Sequence, residues 1–180
     1  MLISLFMRFM LQNKETFKFT TKDFAVIGMM AAMLEVVKLA LTGLPNIELV
    51  TLLIILFTIF LGWKSVIAVV AFVLMECAIY GFGLWTIMYF YVWPLLVILT
   101  LLLKRFNSII IYTVLSAMFG FFFGAFCSIP YFFIGGPHMA FTWWVAGIPY
   151  DILHGISNMV LCAVLFKPLN AVLNRLKRVY

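Results

Sequence analysis

The segment "GIPYDILHGISN", residues 147 to 158, carries an aspartate, a histidine and an asparagine within an otherwise apolar run. Positions i, i+3 and i+7 share one face of an α-helix, so Asp151, His154 and Asn158 form a single polar stripe. A carboxylate, an imidazole and an amide so arranged can hold a polar small molecule through hydrogen bonds. The catalytic alternative is an intramembrane dyad in which His154 works with Asp151 or with Ser128 of "FCSIPY". A serine beside a proline in an apolar helix is more often a partner for nearby backbone.

Glu35, Lys38 and Glu76 also interrupt apolar runs. At a rise of about 1.5 Å per residue, Glu35 and Lys38 fall roughly 16 and 21 Å from the cytoplasmic end of their run and Glu76 roughly 15 Å from its own. Asp151 falls about 15 Å below the outer boundary. Charged groups at such depth are costly and usually face a protein interior or a watery cavity. A purely structural reading pairs Lys38 with Glu35 at i+3, or with Asp151 across the bundle, while His154 and Asn158 bond neighbouring helices. A pocket reading gains from the aromatic residues at the same level. Trp85, Tyr89 and Trp93 recur every four residues on one face, with Tyr91, Trp143 and Trp144 nearby, and such surfaces suit a flat, partly polar molecule. They also fit the aromatic belt of a membrane interface.

These groups must be positioned by membrane helices. The chain is 67% hydrophobic and 10% charged, whereas roughly a quarter of residues in soluble domains are charged. Apolar runs predict six spans: about 24–41, 47–61, 66–80, 84–103, 108–134 and 141–167. The second and third are short for a full crossing. Arg8, Lys14, Lys18 and Lys22 precede the first, Lys64 follows the second, Lys104 and Arg105 follow the fourth, and Lys167, Arg175, Lys177 and Arg178 close the chain. With six spans all of these fall on one side, and the loops "TGLPNIE", "YGFGLW" and "GGPHMAFTWW" hold no Lys or Arg, so both termini are expected in the cytoplasm. The net charge of +6 is thereby a topology signal, with no call for nucleic acid.

The expected organisation is an all-α integral membrane protein with a leader over residues 1–20, read as an interfacial segment or an upstream start, and one six-helix domain over residues 21–180. Cys77, Cys127 and Cys162 stand singly and read as small buried hydrophobes, with no spacing for metal or redox work. No P-loop, H-E-x-x-H or G-x-S-x-G is present, so ATP-driven work would need another subunit. Gly28 and Ala32 in "AVIGMMAAM" form a small-x-x-x-small pair that lets another helix approach closely.

The phrases "LPNIELVTLLIILFTIFLGWK", "YGFGLW", "CSIPYFFIGGP" and "GIPYDILHGISN" resemble the substrate-binding S components of energy-coupling factor (ECF) vitamin transporters across most of residues 20–170. The resemblance implies a non-enzymatic subunit in a bacterial plasma membrane that binds a vitamin from outside. It would then dock on a transmembrane T component coupled to two ATPases and topple to release its cargo inward. No cofactor of its own is implied. The family's A-x-x-x-A contact with the T component maps onto Gly28 and Ala32, with glycine at the first position. The family pocket maps onto Asn46, Glu48, Trp85, Tyr89, Trp93, Trp144, Asp151, His154 and Asn158. The branch most resembles cobalamin-type members, with riboflavin, pantothenate, folate, thiamine and queuosine precursors as alternatives; fold likeness alone does not select among them.

Overall fold

The computed structural model describes residues 19 to 177. The expected leader lies outside them save its last two residues, as do Arg8, Lys14, Lys18 and Arg178. Among the described residues the chain is helical and holds no strand. The helices are α1 (Thr21–Ala40), α2 (Val50–Leu61), α3 (Ser65–Tyr80), α4 (Leu84–Leu103), α5 (Ile109–Phe121), the short α6 (Phe123–Cys127) and α7 (Ile129–Lys177).

Three helical stretches are long and apolar enough to cross a membrane: Val50–Tyr80, Leu84–Phe106 and Ile129–Leu176; Ile109–Phe121 is apolar but shorter. The differences from the expected spans have local causes. α1 has the length of a span but carries Lys22, Asp23, Glu35 and Lys38. The expected second and third spans are linked by a single 3-10 turn, Gly62–Lys64. The expected fifth span breaks at Phe122, and just beyond it the Gly124 N–H donates to Asp151 Oδ1 at 2.9 Å. The last helix is interrupted at Gly135 and Gly136, where Gly136 has φ 75°, a backbone that a side chain disfavours. From 137 onward it runs unbroken to Lys177, starting earlier than expected and including Pro149 and Pro168.

Two ion pairs fix the direction of packing. Asp23 near the start of α1 meets Lys64 at the start of α3 at 2.7 Å, and Lys38 near the end of α1 meets Glu76 near the end of α3. α1 and α3 therefore run parallel. Asp23 also closes a capping box with Thr20: the Asp23 N–H donates to Thr20 Oγ1 at 3.2 Å and the Thr20 N–H donates to Asp23 Oδ2 at 2.7 Å. α2 is buried continuously from Val50 to Thr58 and touches α1, α3, α4, α5 and α7. A helix apolar on every side belongs at the centre of a bundle. Its Thr58 hydroxyl donates to the Ile54 carbonyl at 2.7 Å, so the one polar group near its end is satisfied within the helix.

Among the described residues α5 and α7 share the most extensive helix contact. Their backbones meet at Gly120 and Gly155: a Cβ placed on Gly120 would lie 2.7 Å from Gly155 N. Small residues at a helix crossing allow this approach. Replacing Gly120 by Val should therefore destabilise the chain by about 1–3 kcal/mol through overpacking. Thermal unfolding in detergent reads this as a lower midpoint. Gly28→Ala is the control, because a Cβ there meets nothing within 4 Å.

Candidate functional site

The alternating helix directions gather the end of α1, the start of α2, the end of α3 and the start of α4 at one end of the bundle. With the middle of α7 they enclose a cavity of about 510 Å³. Small-molecule sites span roughly 300–1,000 Å³. Trp85, Tyr89 and Trp93 form one wall, with successive ring centroids 5.4 and 5.5 Å apart and planes near perpendicular. Trp93 is buried, and its Nε1–H has no partner among the described residues.

A second wall is the Lys38–Glu76 ion pair. Lys38 Nζ also lies 5.0 Å from the Tyr89 ring centroid and 5.3 Å from that of Tyr80. Lys38 thus forms its ion pair with Glu76, and neither Glu35 nor Asp151 is hydrogen-bonded to it. Glu35 is buried on α1 with both carboxylate oxygens unpartnered among the described residues.

The third wall joins the α1–α2 loop to α7. Glu48 Oε2 accepts from the Thr51 N–H at the start of α2 at 2.8 Å, while Oε1 lies 3.1 Å from His154 Nε2. Ser157 Oγ donates to the Asn46 carbonyl at 2.8 Å and ties the same loop to α7. The His154 ring packs edge-on to Phe123 at 5.0 Å. Burial alone would push the Glu48 carboxyl up, but the hydrogen bond and charge of His154, with the Thr51 hydrogen bonds, hold it below the usual carboxylate range.

Six of the expected ligand residues line this cavity: Asn46, Glu48, Trp85, Tyr89, Trp93 and His154. Asp151, Asn158 and Trp144 do not. Asp151, His154 and Asn158 are all buried, but only His154 reaches the cavity. Asp151 accepts from Gly124 and so anchors α6, and the backbone carbonyl of Asn158 accepts from Ser116 Oγ on α5 at 3.4 Å, while its side-chain Nδ2 has no partner among the described residues. Trp144 stacks edge-on with Phe141, centroids 6.3 Å apart. The stripe is real, yet its members meet different neighbours because α5 and α6 cover part of that face.

Lys38 and Glu76 stood out in the sequence as buried charges, but their shared place in the cavity did not. Tyr80 and Phe123 gave no separate signal. Ser128 Oγ donates to the Ala125 carbonyl at 2.8 Å, the local backbone bond expected of it. Gly28 and Ala32 are exposed on the outer face of α1. Comparison with family models, curated proteins and solved structures finds no match for this chain.

The depressed Glu48 pKa gives a pH prediction with a definite sign. The carboxylate's contribution to stability is complete above its usual titration range and is lost as pH falls through the lower folded-state value. Thermal midpoints followed from pH 7 to pH 3 should fall at the acid end in the native chain. Glu48→Gln should start lower at pH 7 and lack that component of the fall.

Proposed function

We propose that the protein is a six-span S component of an ECF-type vitamin importer, with both termini cytoplasmic, that binds its vitamin in the cavity between α1, α2, α3, α4 and α7. The observation that carries the reading is that cavity: an aromatic wall of three rungs faces the Lys38–Glu76 ion pair and the Glu48–His154 hydrogen bond at one end of an apolar bundle. On this topology the end holding Tyr80, Trp85 and Asn46 is extracellular and the Lys64 and Lys104 turns are cytoplasmic. The alternation of basic loops with loops that hold no Lys or Arg supports it.

A volume of about 510 Å³ suits a flat vitamin of pteridine or flavin size. A corrin with its nucleotide loop is far larger, so the geometry favours the smaller alternatives over cobalamin. The reading includes no catalysis: His154 serves as a hydrogen-bond partner already oriented by Glu48. The exposed Gly28–Ala32 face offers the T component a close helix contact, and the two ATPases supply the energy.

Calorimetric titration of the purified chain with riboflavin, thiamine, folate, pantothenate and cobalamin tests the reading, together with co-purification of a T component. Tight binding of one vitamin without ATP is expected; binding of none, with no T-component association, removes the proposal. Gly28→Leu should weaken association with the T component by at least about tenfold, a cost near 1.4 kcal/mol. It should leave vitamin binding unchanged, because the site it fills is open on the outside of α1. Equal loss of both activities would contradict the assigned face.

A further inference from the structure

The Lys38 ammonium sits in a cage of rings. Its distances to the centroids of Tyr89, Tyr80, Trp85 and Phe72 are 5.0, 5.3, 5.9 and 6.0 Å. A cation within about 6 Å of an aromatic face is attracted by the ring quadrupole, most strongly where water is excluded. Glu76 completes the cage with one oxygen on Lys38, and its other oxygen, Oε1, is buried without a hydrogen-bond partner among the described residues. This is the chemistry of an ammonium-binding site, now filled by a side chain of the protein itself.

Charge balance around the cage is uneven. Glu35 lies one turn before Lys38 on α1 and is buried with no hydrogen-bond partner for either oxygen among the described residues, so two buried carboxylates on neighbouring helices are served by one ion pair. Glu48 is engaged separately by His154 and Thr51. The unmet demand is for hydrogen-bond donors and positive charge, and a buried carboxylate oxygen left without a donor is expensive. Lys38 is also the more exposed member of its ion pair. Its side chain retains 29% exposure against 1% for Glu76, and a long aliphatic stem lets an ammonium swing toward water at small cost.

We infer that the cage formed by Glu76, Tyr80, Trp85 and Tyr89 is the cation subsite of the ligand cavity, that Lys38 is its displaceable internal occupant, and that the ligand is a flat aromatic molecule bearing an ammonium-type positive charge. The inference rests on the transport reading only for the cavity being a ligand site. When the ligand's cation enters, Lys38 leaves the cage, Glu76 keeps a positive partner, and the aromatic part of the ligand stacks along Trp85, Tyr89 and Trp93. Lys38 then competes with the ligand and is the positive partner of Glu76 when the cage is empty.

Tryptophan fluorescence of the full chain in detergent, titrated with benzyltrimethylammonium, tests this directly; benzyl alcohol and benzoate serve as the neutral and anionic counterparts. A saturable change with the cation, absent with the other two, is expected. Lys38→Met should tighten cation binding by about tenfold, since the competing ammonium is gone, and Glu76→Gln should weaken it by at least that factor. If Lys38→Met is unstable alone, benzyltrimethylammonium present during purification should raise its thermal midpoint more than that of the native chain. The double variant Lys38→Met, Glu76→Gln should be blind to the cation. Equal or stronger binding of benzoate or benzyl alcohol, no saturable response to the cation, weaker binding in Lys38→Met, or no rescue of that variant would each overturn the inference. A chain that binds a neutral or anionic vitamin but ignores the cation loses this subsite and keeps the transport reading. A chain that binds the cation yet retains no vitamin and no T component keeps the subsite and loses the transport reading.

Discussion

Placing charges inside an apolar bundle is the constraint on which the structure turns. An isolated buried charge costs several kcal/mol, so each must find a partner of opposite sign or a hydrogen-bond donor. α1 and α3 meet this requirement twice, with Asp23–Lys64 at one end and Lys38–Glu76 at the other. Those two pairs set the parallel register of the helices and leave the apolar α2 enclosed beside them. Removing either member of Lys38–Glu76 therefore disturbs a helix interface and a cavity wall together.

The same constraint separates structure from site on α7. Asp151 is matched by the Gly124 N–H, an arrangement that depends on the chain leaving regular helix at Phe122. His154, one turn further on, is matched by Glu48 from a loop and so remains at a cavity boundary. Asn158 faces α5. Three polar residues on one helical face thus differ in role: Asp151 anchors α6, His154 shapes the cavity and Asn158 is buried away from it.

Much of this was legible in the sequence. Helix positions for α1 through α4 followed from hydrophobic runs and from breaks such as "TGLPN", "GWK" and "YGFG", because in these segments local composition and burial agree. The four-residue spacing of Trp85, Tyr89 and Trp93 gave the aromatic wall, since spacing on a helix fixes the face. What spacing cannot give is which face meets which neighbour. Lys38 and Glu76 are 38 positions apart, and their pairing depends on the parallel packing of α1 and α3. The break at Phe122 was hidden because Phe121, Phe122 and Phe123 continue an apolar pattern without pause; the backbone departs from helix there to serve Asp151, a residue 27 positions away from Gly124. Asp151, Asn158 and Trp144 were placed in the pocket by stripe and by resemblance, and tertiary covering by α5 and α6 decided otherwise for the first two.

The account's central claim is that the cavity, and no other part of the polar stripe, holds a small molecule. Native mass spectrometry of the chain released from detergent micelles measures that most directly. The native chain and Asp151→Asn should both carry the same bound small molecule, and Trp85→Ala should be stripped of it. Equal retention by Trp85→Ala, or loss in Asp151→Asn alone with its fold intact, would contradict the account.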